Sequence, residues 1–329
     1  MMSASTPTLG VIFHPRFPPE TLMDYARRAE QAGFSELWLW DDCFLPGAFT
    51  SAAIALTATE RLKVGIGLLP ATVYNPLFAA MEITTLARAF PGRFLPGFGY
   101  GVDTWMKQIG AAPTSAIKTL EQTVQTIRAL LRGDQVSVDQ HNIHLDQVQM
   151  QLTAEHQPPL YIGAMREKTL QLTGRVADGT ILTGMSSPAY VRWAREQINI
   201  GLKEREQPAH QHRVVVYALA KISPDGAAAQ ATMRQAITPQ FGFWADVHLQ
   251  ALGVLEAARA LQEQHGADAG NYVPDAWINE LTITGTPEQA VTSISRLADA
   301  GADAIILQPL ENDPACLDEY IRYLMPLYP

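Results

Sequence analysis

Short apolar runs recur along this chain, and each is followed by a stretch with helical spacing. Val64–Leu69 and Ala304–Leu307 carry no polar residue at any position. A strand tolerates that pattern only when both of its faces are covered, as in a parallel sheet flanked by helices. The first unit shows the grammar. Leu9–Phe13 is a strand ending at His14-Pro15, and Pro18-Pro19-Glu20 opens a helix, where the missing proline N–H has no helical partner. Leu22, Tyr25, Ala26, Ala29 and Ala32 then share one helix face until Gly33 stops it. Glu36–Trp40 follows as a second strand ending in Asp41-Asp42. This is a βαβ unit.

The pattern predicts further strands at Leu62–Leu69, Arg93–Phe98, Leu160–Gly163, Gly179–Thr183, Val214–Leu219 and Ala304–Gln308, each followed by a helix. Eight such units close into an α/β TIM barrel; a doubly wound open sheet is the alternative. The 329 residues would otherwise suggest two ordinary domains. One enlarged barrel over 1–329 accounts for them, with insertions at about 104–158 and 225–280. The first insertion carries a short hairpin at Val136–Asp139 and Ile143–Asp146. No linker rich in Gly, Ser or Pro divides the chain.

With 24 basic against 33 acidic side chains, the net charge of −9 argues against a nucleic-acid partner. The 2 cysteines, Cys43 and Cys316, are too few for a disulfide framework or a zinc ribbon and read as reduced thiols. No signal peptide or membrane-length apolar run is visible, so the expectation is a cytoplasmic protein without a membrane partner.

In a barrel of this type, chemistry sits at the C-terminal strand ends. Those ends supply His14, Asp41, Asp42, Gly67, Leu68, the segment Gly97-Phe98-Gly99-Tyr100-Gly101, Gly163-Ala164-Met165-Arg166, Thr183-Gly184 and Gln308. Alternate glycines permit close approach of a flat ligand to the backbone, or merely a tight turn. Gly163 and Ala164, followed by Arg166, Lys168 and Thr169, place a helix start beside two cations, which suits a phosphate or a plain solvated terminus. Asp41 and Asp42 offer acid–base chemistry or a helix cap. His14 is a weaker candidate. The other histidines (141, 144, 156, 210, 212, 248 and 265) lie in insertions or loops and read as surface residues. No metal-ligand spacing and no G-x-S-x-G elbow occurs, so the expected metal content is none. Lys63 begins its strand, away from any Schiff-base position. Trp105-Met106 reads as an apolar wall over the mouth or as core, and Cys43 as a small packed residue.

The segments Trp38–Phe44, Val64–Pro70 with Asn75-Pro76, and Pro91–Gly101 resemble the bacterial luciferase-like superfamily. So do Tyr161–Ala164 through Val176–Gly179 and Gly285–Gln289, in family order from about Leu9 to Leu310. The nearest-looking branch holds reductases similar to methylenetetrahydromethanopterin reductase, which use the deazaflavin coenzyme F420. The resemblance implies a barrel with the cofactor ring at the strand ends and a non-proline cis peptide at Gly67-Leu68. It implies cofactor contacts from Gly67, Leu68, Asn75, Gly97, Gly99 and Gly101. Phosphate-side contacts would come from Gly163, Ala164, Arg166, Lys168 and Thr169. Asp42 stands where the family often has histidine, so it takes the place of that residue at the ring's polar edge or the substrate. The implied activity is hydride transfer between F420 and a small organic substrate. The alternatives are an FMN-dependent monooxygenase using O2 and a separate flavin reductase, and a non-catalytic flavin binder. Relatives commonly form homodimers.

Overall fold

The computed structural model describes residues 6–205, 211–242 and 244–328. Eight parallel strands close on themselves: β1 (Thr8–Phe13), β2 (Glu36–Leu39), β3 (Lys63–Pro70), β4 (Phe94–Gly99), β5 (Tyr161–Gly163), β6 (Gly179–Leu182), β7 (Arg213–Ile222) and β8 (Ala304–Gln308). The register Gly179↔Arg213 joins β6 to β7, and Thr8↔Ala304 joins β1 to β8, which completes the ring. The expected TIM barrel is therefore present, with helices outside it. Their apolar faces meet the outward strand residues in one large core that includes Val11, Leu37, Val64, Ile83 and Ile127.

Three features lie outside the barrel ring. The hairpin Val136–Gln140 and Ile143–Val148 forms its own antiparallel pair, while Ala116–Arg132 beside it buries one face and serves as the helix after β4. A short strand, Ile283–Gly285, pairs with the far end of β7 and was not visible as an apolar run. Between β7 and this strand, the 225–280 segment folds as helices around a separate apolar cluster of Met233, Ile237, Phe241, Leu249 and Ile278. That cluster reaches the barrel through Met185 and Leu219.

Side chains alternate along each strand, so one row per strand points to the barrel axis. That row fills the lower barrel with Ile12, Trp38, Leu95, Tyr161, Ile181, Val215, Tyr217 and Ile306. Trp38 is too large for its layer unless a neighbour yields. Gly65 yields, since a Cβ there would stand 2.3 Å from the indole Cε3. At the bottom, the fully buried Glu36 pairs with Arg213, and its other oxygen accepts from Trp38 Nε1 at 2.8 Å. Thr8 Oγ1 donates to Glu36 at 3.0 Å, and Arg213 reaches Tyr161 Oη at 3.4 Å. Against the desolvation that burial imposes, Glu36 and the Tyr161 hydroxyl hold Arg213 above the usual guanidinium range.

Removing one partner of this pair leaves a buried charge. Arg213→Leu is expected to lower stability by about 3 kcal/mol in urea unfolding. The double variant Glu36→Gln/Arg213→Leu should lose less than the single one; equal or greater loss would show that the pair's charge is not what matters.

Candidate active site at the barrel mouth

Above the filled layers, the inward rows end in His14, Trp40, Gly67, Gly99, Gly163, Thr183, Leu219 and Gln308. The Gly67–Leu68 peptide bond is cis. Leu68 lies across the mouth, and its side chain rests where Cβ atoms on Gly99 and Gly163 would otherwise be. Those atoms would come within 2.5 and 2.3 Å of Leu68 Cδ1. The floor is thus one aliphatic side chain seated on two glycines. Gly97 sits one layer lower, where a Cβ would meet the Ile66 carbonyl at 2.7 Å. Gly101 takes a positive φ of 72° against Met106, which only glycine adopts without cost.

One wall is aromatic. Trp40 stacks on Tyr217 at 6.4 Å and meets the His14 ring edge-on at 5.0 Å. Tyr217 Oη donates to the Gly67 carbonyl at 3.4 Å, which ties this wall to the floor. Trp40 Nε1 is buried and has no hydrogen-bond partner within the described chain. Such a donor fits an acceptor atom on a bound molecule.

The polar side belongs to the loop after β2. Asp41 is fully engaged: Tyr74 Oη donates to one oxygen at 2.8 Å and Ala48 N–H, at the start of the next helix, donates to the other at 3.0 Å. Among the described residues no donor is hydrogen-bonded to the Asp42 carboxylate. Burial, reinforced by the neighbouring charge of Asp41 and opposed by Arg16, pushes its pKa above the usual carboxylate range. His14 accepts from the Arg16 N–H at Nδ1, 3.2 Å away, and burial with the Arg16 charge lowers its pKa to about 4. The mouth therefore holds a neutral imidazole at the end of β1 and, in the loop after β2, a carboxyl that keeps its proton more readily than usual.

On the other side, Arg166 precedes the helix Glu167–Val176, and Arg166 and Lys168 are exposed. The Arg166 carbonyl accepts from the N–H groups of Thr169 and Leu170, so those of Glu167 and Lys168 point out of the helix start. Thr169 is buried, and its hydroxyl pairs with Tyr100 Oη at 2.8 Å. Ala164 is buried with its N–H on the Ile181 carbonyl. Asn75 caps the helix Pro76–Ala89 by accepting from Leu77 N–H at 2.9 Å.

Two of the histidines expected at the surface are buried instead: His212 under β6, with Nε2 2.8 Å from Thr180 Oγ1, and His248, with Nε2 3.1 Å from Thr183 Oγ1. Their partners come from strands 32 and 65 residues earlier, a pairing that local spacing does not carry. His210 lies outside the described residues. Met106 is core, whereas Trp105 turns outward and meets exposed Phe44 edge-on at 6.2 Å. Cys43 is half-exposed between these loops. Among the described residues no His, Cys, Asp and Glu cluster is arranged to hold a metal.

The fold is a parallel barrel whose strand ends carry a glycine-backed apolar floor, an aromatic wall and a cation-flanked helix start. The sequence profile of the luciferase-like monooxygenase family matches residues 2–304, and the chain belongs to that family. It is 28% identical over 305 residues to a 5,10-methylenetetrahydromethanopterin reductase of Methanolobus tindarius, covering 91% of this chain and 93% of that one. The coenzyme F420 dependent tetrahydromethanopterin reductase from Methanopyrus kandleri superposes with a TM-score of 0.83 at 20% identity, over 99% of this chain and 100% of its own. An F420-dependent secondary alcohol dehydrogenase in complex with an F420-acetone adduct superposes at 0.77 and 19% identity, over 97% and 98%.

Both mouth groups leave a signature in stability against pH. The unfolded chain binds the His14 proton more tightly than the folded one, so stability falls as pH drops from 6.5 toward about 4. His14→Gln should flatten that part of the profile; an unchanged slope would place the imidazole in solvent. Asp42 has the opposite sense: the fold favours its protonated form, and that contribution is lost as pH rises from 3.8 through the raised value. Asp42→Asn should accordingly be the more stable protein at neutral pH in thermal unfolding.

Proposed function

We propose that the chain is an oxidoreductase that transfers hydride between coenzyme F420 and a small organic substrate. The observation that carries this reading is the continuity of the cradle. The apolar floor of Leu68 on Gly99 and Gly163 suits a flat ring, and the same strand end leads into a helix start flanked by Arg166 and Lys168, which suits a phosphate. The orphaned Trp40 Nε1 fits a ring heteroatom or carbonyl oxygen. When bound, the deazaflavin supplies two-electron hydride chemistry, having carbon in place of the flavin N5.

The chain's own residues orient, exclude water and manage a proton. Leu68, Trp40 and Tyr217 present apolar surface to one region of the mouth. Asp42, holding its proton more tightly than a solvated carboxyl, is the acid or base toward the reacting edge. His14 stays neutral. Asp41 acts through the loop, because its two oxygens fix the Asp42 backbone against Tyr74 and the next helix. Gly67, Gly97, Gly101, Ala164, Thr169 and Asn75 shape the cradle by space and by turn geometry.

The reading includes a single working domain, a homodimer and a cytoplasmic setting. The dimer is supported by Phe78 and Met81, which are exposed on one helix face. Among the described residues no helix is long and apolar enough to cross a membrane.

Titration of the purified protein with F420 and with FMN, followed by fluorescence quenching, tests the cofactor. Micromolar F420 binding is expected. FMN binding with none of F420 would overturn the reading in favour of a monooxygenase served by a separate flavin reductase. Arg166→Ala/Lys168→Ala should weaken F420 by about tenfold and reduce its salt dependence. With methylenetetrahydromethanopterin and isopropanol as trial substrates, Asp42→Ala should abolish turnover while F420 binding persists; unchanged turnover would remove Asp42 from the chemistry.

A further inference from the structure

The geometry points to His248 as a positioning residue. From inside the 225–280 segment it holds the Thr183 hydroxyl, at the end of β6, as a hydrogen-bond donor into the mouth for a carbonyl oxygen of the bound ligand. This rests on the proposed function only in placing that ligand at the mouth.

His248 is 0% exposed, packed 4.3 Å from the Tyr190 ring and 5.9 Å from the Trp244 ring. Its Nε2 lies 3.1 Å from Thr183 Oγ1, and its Nδ1 is buried with no partner within the described chain. Burial lowers its pKa to about 3, so the ring is neutral and carries one proton. Leaving a buried N–H without an acceptor is the rarer and costlier arrangement, so the proton belongs on Nε2 and the bare lone pair on Nδ1. Nε2–H then donates to Thr183 Oγ1.

A hydroxyl that accepts in this way sends its own proton elsewhere. Thr183 continues the inward row of Gly179 and Ile181 at the end of β6 and is half-buried. Ser186 Oγ donates to the Thr183 carbonyl at 2.6 Å and fixes the turn that follows. On the next residue, Gly184, a Cβ would stand 3.2 Å from Gln308 Oε1, which sets the Gln308 amide at the same rim. Thr183 thus offers a fixed O–H, matched to a carbonyl oxygen and mismatched to an ammonium or a second donor. That oxygen belongs to the cofactor ring or to a substrate above it.

The imidazole tautomer is read directly by 15N NMR of the ligand-free protein. Protonation of His248 at Nε2 is expected, and protonation at Nδ1 would overturn the proposal. Thr183→Val then separates the two sources. A loss of about fivefold in F420 affinity, read by fluorescence, assigns the ring carbonyl. Unchanged F420 affinity, with an upfield shift of the carbonyl signal of 2-13C-acetone bound to the F420-loaded protein, assigns the substrate carbonyl. A folded Thr183→Val protein with neither change overturns the proposal. His248→Phe keeps the ring volume but not the donor; it should reproduce the Thr183→Val effect and add nothing to it in the double variant, and His248→Gln should recover part of the loss. Additive losses would mean that His248 acts by packing alone. Should His248→Phe fail to fold, the NMR and Thr183→Val results decide. If the wild type binds FMN and not F420, the cofactor reading fails visibly, and the same variants are read with FMN, whose ring also carries carbonyl oxygens.

Discussion

The lower barrel is filled by Trp38, and the rest of the molecule depends on how that indole is held. Gly65 makes room on one side, Tyr161 and Tyr217 meet its edges at 5.7 and 5.9 Å, and Glu36 accepts its N–H. Glu36 in turn needs Arg213 from β7, which β1 and β8 separate from β2 in the ring. One side chain thereby couples β2, β3, β5 and β7 at the axis. With that layer filled by side chains, a ligand on the barrel axis would sit above Tyr217 and Leu68. A packed interior is what turns the strand ends into a floor.

The mouth built on that floor is electrically quiet at its centre and charged at one side. His14 is kept neutral, and the Asp42 carboxyl is shifted toward its protonated form. The exposed cations stand apart at the Glu167–Val176 helix start. A ring that gains or loses hydride needs the first environment, and an anionic tail needs the second. In a chain with net charge −9 this separation is a matter of placement rather than of composition.

Much of this was legible in the sequence. Most of the eight barrel strands follow from apolar runs that stop at Gly, Pro or Asp, because burial on both faces leaves a run without alternation. The residues of the floor and the cation-flanked helix start follow from the strand ends. What escaped was long-range. Glu36 and Arg213 are 177 positions apart, and a glutamate opening an apolar strand gives no hint of its partner. His248 resembles any polar residue on an insertion helix until the fold sets it against Thr183. Ile283–Gly285 is too short to announce itself and forms because β7 overruns the barrel by several residues. The aspartate after β2 could have been cap or catalyst by residue type. The two aspartates divide the roles, since Asp41 is tied by Tyr74 and Ala48 while, among the described residues, Asp42 accepts from no donor.

Leu68 seated on Gly99 and Gly163 has a consequence for how such a protein diversifies. A side chain at either glycine would displace Leu68 from its seat, so the floor and β4 or β5 can change only together. Variation is forced outward, onto the loops after β2 and β4 that carry Phe44 and Trp105 and onto the helices of 225–280. In this chain the floor is set by coupled backbone and side-chain fit, and the loops and helices of the rim are where side chains are free to differ in size and charge.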